Sequence, residues 1–150
     1  MDQRLFIKPL FVAAIAGAGF AAFLVRAAPP AADAPLQQAI ARGADAFAHE
    51  KFGGSGRVCE TCHLGGGLKE GRRPDGVVIP SLANAAAVFP RISDDDGHSV
   101  ITLSDQVRAC VMGAIRGKPP AYSSDELNSL VAYVTSLSKG KVIEMGGAPR

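Results

Sequence analysis

The 150-residue chain has no tryptophan, only three cysteines and no marked excess of charge of either sign. Its 16 Lys and Arg residues and 14 Asp and Glu residues give a formal net charge of +2, which excludes a strongly basic, dedicated nucleic-acid binder. An odd cysteine count argues against a disulfide framework. Hydrophobic residues make up 47% and charged residues 20%, which excludes a disordered chain. The length suits one compact domain with a short appendage.

Runs of alternating apolar and polar residues are too short to predict strands, whereas apolar residues recur at helical spacing. Three helices are predicted, over residues 36–48, 102–116 and 123–139. Thr102 with Asp105 has the spacing of a capping box at the start of the second helix, and Ser123 with Glu126 has it at the start of the third. The sequence therefore predicts an all-α domain with long loops.

The N-terminal segment has the pattern of an export signal. Arg4 and Lys8 precede an uncharged run from Pro9 to Val25. This run is close to the shortest length that spans a bilayer, about 17 residues. No clear cleavage site follows, so we expect residues 1–28 to remain as a hydrophobic helix that anchors the chain in a membrane; removal as a cleaved signal is the alternative. The remaining predicted boundaries are a linker at 29–35, a domain at 36–140 and a C-terminal tail at 141–150.

Cys59, Cys62 and His63 form the pattern C-x-x-C-H, which is the attachment motif of c-type haem. Cysteines three residues apart lie on the same side of one helical turn, so both sulfurs reach the two vinyl groups of a porphyrin, and the adjacent imidazole reaches the iron. One motif predicts one covalently bound haem c. The alternatives are a thioredoxin-like redox pair, which lacks a βαβ context here, and a zinc site, for which only Cys110 could complete an awkward thiolate set.

The second axial ligand of the iron sets the potential and reactivity of a haem. The candidate ligands are Cys110, Met112, Met145, His49 and His98. Single-haem cytochromes often supply a methionine from a loop before the last helix, but residues 117–122 contain none. At about 100° per residue, Cys110 shares an apolar stripe with Val107 and Val111, whereas Met112 lies roughly opposite. We therefore expect Cys110 to ligate the iron, with Met112 as the main alternative and the other three residues, or an open site, also considered.

The stretch from Cys59 to Gly140 resembles the haem domain of thiosulfate dehydrogenases and, more distantly, related sulfur-oxidising cytochromes. The features that carry the resemblance are Cys59-x-x-Cys62-His63-Leu64, Phe89-Pro90, Thr102-Leu103, Val107-Arg108-Ala109-Cys110, Gly117-Lys118 and Ser124-Asp125-Glu126-Leu127, leading to Ala132-Tyr133-Val134. The resemblance implies a class I-like cytochrome c domain, axial ligation by His63 and Cys110, and a haem at which thiosulfate is oxidised. The chain departs from the family at residues 113–116, where an arginine expected to hold the anionic substrate is missing; Arg108 or Arg116 is the candidate to replace it. The family members commonly carry two haems, and this chain carries one motif.

Three functional hypotheses follow. The first is an exported electron carrier that exchanges electrons with redox partner proteins and has a low midpoint potential, because a thiolate ligand stabilises ferric iron. The second is a thiosulfate dehydrogenase-like enzyme, or its haem subunit, acting on thiosulfate or another sulfur anion. The third is a haem sensor with an open sixth position. The first is favoured, on the periplasmic side of the inner membrane through the N-terminal segment, or free in the periplasm if that segment is cleaved.

Overall fold

A computed structural model describes residues 33–73 and 75–149 of the chain. Its helices are α1 (Ala34–His49), α2 (Ala85–Val88), α3 (Leu103–Cys110) and α4 (Asp125–Leu137), with a 3-10 turn at Cys59–Thr61 and a π turn at Val111–Ile115. Two antiparallel hairpins pair β1 (Gly71–Arg72) with β2 (Val78–Ile79) and β3 (Arg91–Ile92) with β4 (Val100–Ile101). The described residues thus form the helical domain with long loops that the sequence predicts. The sequence does not predict the two hairpins, because two-residue strands are too short to show alternating apolar and polar residues.

The core of the domain forms where α1 packs across α4. At Gly43 of α1, a Cβ would lie 1.9 Å from the carbonyl oxygen of Ser129 in α4, so the two backbones approach this closely only at glycine. One turn further on, Phe47 is 3% exposed and packs edge-on against Tyr133, with ring centroids 5.3 Å apart. The buried core cluster consists of Phe47, Phe52, Ala85, Val111, Ile115, Leu130 and Val134. The core therefore fixes α1, α2, α4 and the π turn relative to one another.

Helix α3 begins at the predicted capping box and ends differently from the prediction. The backbone N–H of Asp105 donates to Thr102 Oγ1 at 3.2 Å, and the N–H of Thr102 donates to the Asp105 carboxylate at 2.8 Å. The expected continuation to Arg116 is replaced by a π turn over Val111–Ile115, which starts directly after Cys110, and Arg116 has a left-handed φ of 59°. Single π turns within helices occur often at functional sites.

Helix α4 begins one residue later than the sequence predicts. The predicted box of Ser123 and Glu126 is wrong, because Ser124 is the capping residue and its Oγ accepts the N–H of Leu127 at 3.2 Å. Ser123 instead takes a left-handed φ of 61° just before the helix. Ser123 and Ser124 both carry a hydroxyl group, and the course of the backbone decides which of the two caps the helix.

The Ser124→Ala variant is expected to lower the free energy of unfolding by about 1 kcal/mol, the usual effect of removing a capping hydroxyl. Ser123→Ala, the matched control, should change it by less than about 0.5 kcal/mol, as at ordinary surface positions. Urea unfolding of the haem-loaded protein, followed by circular dichroism, measures both values. A larger loss at Ser123 than at Ser124 would contradict the assigned cap.

The C-terminal segment, residues 141–149, runs back along α2. The N–H of Glu144 donates to the Ala87 carbonyl at 2.7 Å, and the N–H of Gly146 donates to the Val88 carbonyl at 3.0 Å. The sequence does not indicate α2, since four residues are too few to show a helical repeat. Hydrogen bonds therefore tie the predicted tail to the domain.

The predicted N-terminal hydrophobic helix lies outside the described residues. Among the described residues, no helix is long and apolar enough to cross a membrane. Both the membrane anchor and the cleaved signal stay predictions.

Candidate functional site

The haem-attachment motif forms one tight turn between α1 and β1. The N–H groups of Cys62 and His63 both donate to the carbonyl of Cys59, at 3.1 and 3.0 Å. A Cβ at Gly71 would lie 1.8 Å from the Cys62 carbonyl oxygen, so β1 passes this turn only as glycine. The turn thus has the helical geometry that brings two sulfurs and an imidazole to the same side.

The loop that follows the motif is held against the helices. The Glu60 carboxylate accepts the N–H of Gly66 at 2.9 Å, and the Tyr133 hydroxyl of α4 donates to the Gly66 carbonyl at 2.8 Å. Tyr133 also packs on Phe47 of α1. The position of the motif therefore depends on the packing of α1 against α4.

His63 lies in apolar surroundings with one ring nitrogen unsatisfied. Its ring centroid is 6.4 Å from that of Phe47, and its Nδ1 is buried without a hydrogen-bond partner. Burial lowers the pKa of His63; the Pro80 carbonyl opposes part of this shift, although its placement falls short of hydrogen-bond geometry to Nδ1. The lowered pKa favours the neutral ring, which is the state in which imidazole binds metals.

A cavity of about 940 Å³ opens beside the motif, at the upper end of the range of about 300–1,000 Å³ for cofactor sites. Its apolar wall includes Phe47, Leu82, Phe89, Leu103, Val107 and Val134. Its sulfur and nitrogen donors are Cys59, Cys62, His63 and Cys110. A haem needs apolar walls for its ring, two thiols for its vinyl groups and axial donors for its iron. The lining of this cavity therefore fits the group.

Cys110 reaches the cavity from the C-terminal end of α3. One turn earlier, Gln106 donates from Nε2 to Cys110 Sγ at 3.5 Å. Burial raises the pKa of the Cys110 thiol, the Gln106 hydrogen bond opposes part of the rise, and nearby Cys62 adds to it. Burial, followed by the effect of Cys110, raises the pKa of Cys59 to about 12. The raised pKa favours the protonated Cys110 thiol until a cation binds, because metal coordination deprotonates a thiol.

The other four candidate axial ligands lie away from this cavity. Met112 and Met145 are 54% and 68% exposed. His49 pairs with Asp45 on the exposed face of α1, and His98 is exposed in the loop before β4. Of the five candidates, only Cys110 lines the cavity. Within residues 33–73 and 75–149, no group of three or more His, Cys, Asp and Glu side chains is arranged to hold a metal ion, the arrangement that the zinc alternative needs.

The mouth of the cavity carries excess positive charge. Five arginines line the cavity, and all except the half-buried Arg91 are exposed: Arg57, Arg72, Arg73, Arg91 and Arg116. Two of these form ion pairs, Arg73 with Asp75 at 2.6 Å and Arg91 with Asp94. Arg57 and Arg72 donate to backbone carbonyls instead. Two carboxylates therefore balance only two of the five cations, and we call Arg57, Arg72 and Arg116 the arginine rim.

Of the two arginines considered as replacements for the missing family arginine, Arg116 lines the cavity and Arg108 does not. Arg108 lies in a separate cleft of about 390 Å³, which Met112 also lines. Its guanidinium is 4.1 Å from the ring centre of Tyr122, and it donates to the Pro120 carbonyl. Arg108 is therefore a structural contact between α3 and the loop before α4.

Of the arginine rim, the sequence singles out Arg116 but not Arg57, and it does not single out Gln106. For Gln106 a signal exists, because it lies four residues before Cys110 and so shares its helix face. For Arg57 there is none, because a loop residue becomes a neighbour of the cavity only through the tertiary fold.

The SoxA/TsdA cytochrome c domain family matches residues 42–143 of the chain. A thiosulfate dehydrogenase from Psychrobacter arcticus is 28% identical over 81 residues, which cover 54% of this chain and 22% of the relative. A thiosulfate dehydrogenase from Stutzerimonas stutzeri is 30% identical over 90 residues, which cover 60% of this chain and 27% of the relative. The matched region thus spans about a quarter of the length of these curated relatives.

Two solved structures share the fold. SoxXA from P. pantotrophus superposes with a TM-score of 0.59 at 24% identity, covering 77% of this chain and 38% of that one. Thiosulfate dehydrogenase (TsdBA) from Marichromatium purpuratum superposes with a TM-score of 0.55 at 22% identity, covering 85% and 30%. The resemblance drawn from the sequence is confirmed. The family match spans more than half of this chain. The chain therefore belongs to the SoxA/TsdA family of cytochrome c domains, in which haem c is bound covalently.

Proposed function

We propose that the chain is an exported monohaem cytochrome that transfers electrons in the oxidation of sulfur compounds. The observation that carries the proposal is the presence of Cys59, Cys62, His63 and Cys110 around one haem-sized cavity. Cys59 and Cys62 hold the haem through thioether bonds, and His63 and Cys110 ligate its iron. The family match and the thiosulfate dehydrogenase relatives support the link to sulfur chemistry.

A bound haem would supply one-electron chemistry between ferric and ferrous iron. The residues of the chain hold and tune it. The apolar wall excludes water from the ring, and Phe47 packs against His63. A thiolate from Cys110 stabilises the ferric state, so the midpoint potential is low relative to a His–Met cytochrome.

The proposal places the domain on the periplasmic side of the inner membrane. Covalent attachment of haem c requires export, and the basic and apolar pattern of residues 1–28 supplies a signal or an anchor. The arginine rim lines the cavity that would hold the haem. Its charge favours a redox partner with an acidic surface around its own cofactor.

A second candidate function is that of a thiosulfate dehydrogenase-like enzyme or its haem subunit. The arginine rim favours it, because three guanidinium groups that have no carboxylate partner among the described residues attract a sulfur oxyanion to the cavity that holds Cys110. Arg116 then takes the place of the arginine missing from the family pattern.

Anaerobic assays of the haem-loaded chain with thiosulfate and an artificial acceptor separate the two functions. An electron carrier is reduced by dithionite and reoxidised by ferricyanide, without steady-state oxidation of thiosulfate. An enzyme turns over, and Arg116→Gln should slow it at least about tenfold, the loss of one charge-assisted hydrogen bond of about 1.5–3 kcal/mol. Arg42→Gln, on the exposed face of α1 and outside the cavity, is the matched control. An intact mass equal to that of the bare polypeptide would contradict both functions.

A further inference from the structure

Gln106 is the side chain that hydrogen-bonds the sulfur of Cys110. Its Nε2 lies 3.5 Å from Sγ. Both residues belong to α3 and are four residues apart, which places them on the same face of the helix. Both also line the haem-sized cavity.

The neighbours of Gln106 on α3 offer the sulfur no comparable donor. Leu103 and Val107 line the same cavity and are apolar. Arg108, the cation closest in sequence, is turned toward Tyr122 and the Pro120 carbonyl. The amide of Gln106 is therefore the polar group of α3 that acts on Cys110.

An N–H group that donates to a thiolate stabilises the negative charge on the sulfur. The same hydrogen bond withdraws electron density from the metal–sulfur bond, and such bonds are among the features that set the potential of an iron site. With less donation from sulfur, ferric iron is less favoured over ferrous iron. A thiolate with this hydrogen bond therefore gives a higher potential than a bare thiolate.

We propose that Gln106 is a positioning residue for the axial sulfur: its amide orients Cys110 Sγ and raises the reduction potential of the bound haem. This inference rests on the proposed function, in which Cys110 ligates the iron. The fold fixes Cys110 as the ligand, and the neutral Gln106 side chain adjusts the reduction potential through it.

The test compares the haem-loaded parent chain with Gln106→Met, which keeps the length of the side chain and removes the donor. At a fixed ambient potential, the ferric-to-ferrous ratio should rise about tenfold, which equals a downward shift of about 59 mV for one electron. The g values of the low-spin ferric electron paramagnetic resonance spectrum should shift while keeping a thiolate signature. The matched control is Gln37→Met on the exposed face of α1, which should change neither quantity.

A second variant, Gln106→Glu, keeps the proposal testable if the methionine variant does not fold. Its carboxylate accepts rather than donates and brings a negative charge toward the sulfur. The potential should fall at least as far as in Gln106→Met.

The outcomes separate the two levels of the proposal. Unchanged potentials and spectra in both Gln106 variants, with a thiolate signature in the parent chain, overturn the role of Gln106 and leave the proposed ligation intact. A parent spectrum without a thiolate signature, unchanged by Cys110→Ala, overturns the ligation and the role of Gln106 together. If Gln106→Met also lowers the potential in a Cys110→Ala background, the role of Gln106 is overturned, because the effect then does not act through the Cys110 sulfur.

Discussion

The Cys110→Ala variant is expected to keep its covalent haem and to lose the low-spin ferric spectrum of a thiolate-ligated iron. Cys110 is the only one of the five candidate ligands that lines the cavity, and its replacement leaves His63 as the remaining axial donor. The midpoint potential should rise by on the order of 0.1 V or more, since axial ligands set haem potentials over a range of about 0.8 V. Electron paramagnetic resonance and a redox titration measure the two effects. Rapid binding of carbon monoxide to the ferrous variant should report the open position.

Met112→Ala is the control, because Met112 is also a sulfur-bearing residue near the end of the same helix. Its side chain is exposed and lies in the cleft with Arg108 rather than in the haem-sized cavity. Neither the spectrum nor the potential should change. A thiolate-free parent spectrum that Met112→Ala disrupts and Cys110→Ala leaves intact would show that the methionine is the ligand.

Fixed spacing explains why part of the site could be predicted from the sequence. The separation of Cys59 and Cys62 defines one helical turn, which the backbone hydrogen bonds to Cys59 form. The rotation of about 100° per residue separates Cys110 from Met112, and the structure places them in different cavities. Both inferences use only residues that are near in sequence, for which helix geometry is sufficient.

The remaining features depend on contacts between residues that are distant in sequence. The arginine rim combines Arg57 and Arg72, from either side of the motif, with Arg116 after the π turn. The π turn also has no local signal, because Val111 and Ala114 continue the apolar stripe as they would in an ordinary helix. The misplaced cap of α4 shows the same limit at short range, because Ser123 and Glu126 have the spacing of a capping box but the backbone makes Ser124 the cap.

The same residues hold the site and the core in place, so the crossing of α1 and α4 matters for both. Phe47 contacts Tyr133 within the core and His63 at the cavity. Tyr133 in turn holds the loop after the motif through the Gly66 carbonyl. A change in the distance between α1 and α4 should therefore disturb both the stability of the domain and the placement of His63.

Gly43→Ala is expected to lower the free energy of unfolding by about 2 kcal/mol or more. The added Cβ would lie 1.9 Å from the Ser129 carbonyl oxygen, so the helices must separate. Overpacking of this kind costs about 1–3 kcal/mol, and here the obstacle is backbone, which yields less readily than a side chain. The higher helix propensity of alanine, about 1 kcal/mol, offsets only part of the loss. Thermal unfolding of the haem-loaded protein should show a midpoint lower by roughly 8 °C, at about 4 °C per kcal/mol.

The matched control for Gly43→Ala is Ala41→Ser, which adds one heavy atom on the exposed side of the same helix. It should change the free energy of unfolding by no more than about 0.5 kcal/mol. Because Phe47 lies one turn from Gly43 and packs on His63, the Soret band of the Gly43→Ala variant should shift in the same transition in which the far-ultraviolet signal is lost. Equal stabilities for Gly43→Ala and Ala41→Ser would contradict the close crossing of α1 and α4, because the crossing is what makes the atom added at residue 43 the more costly one.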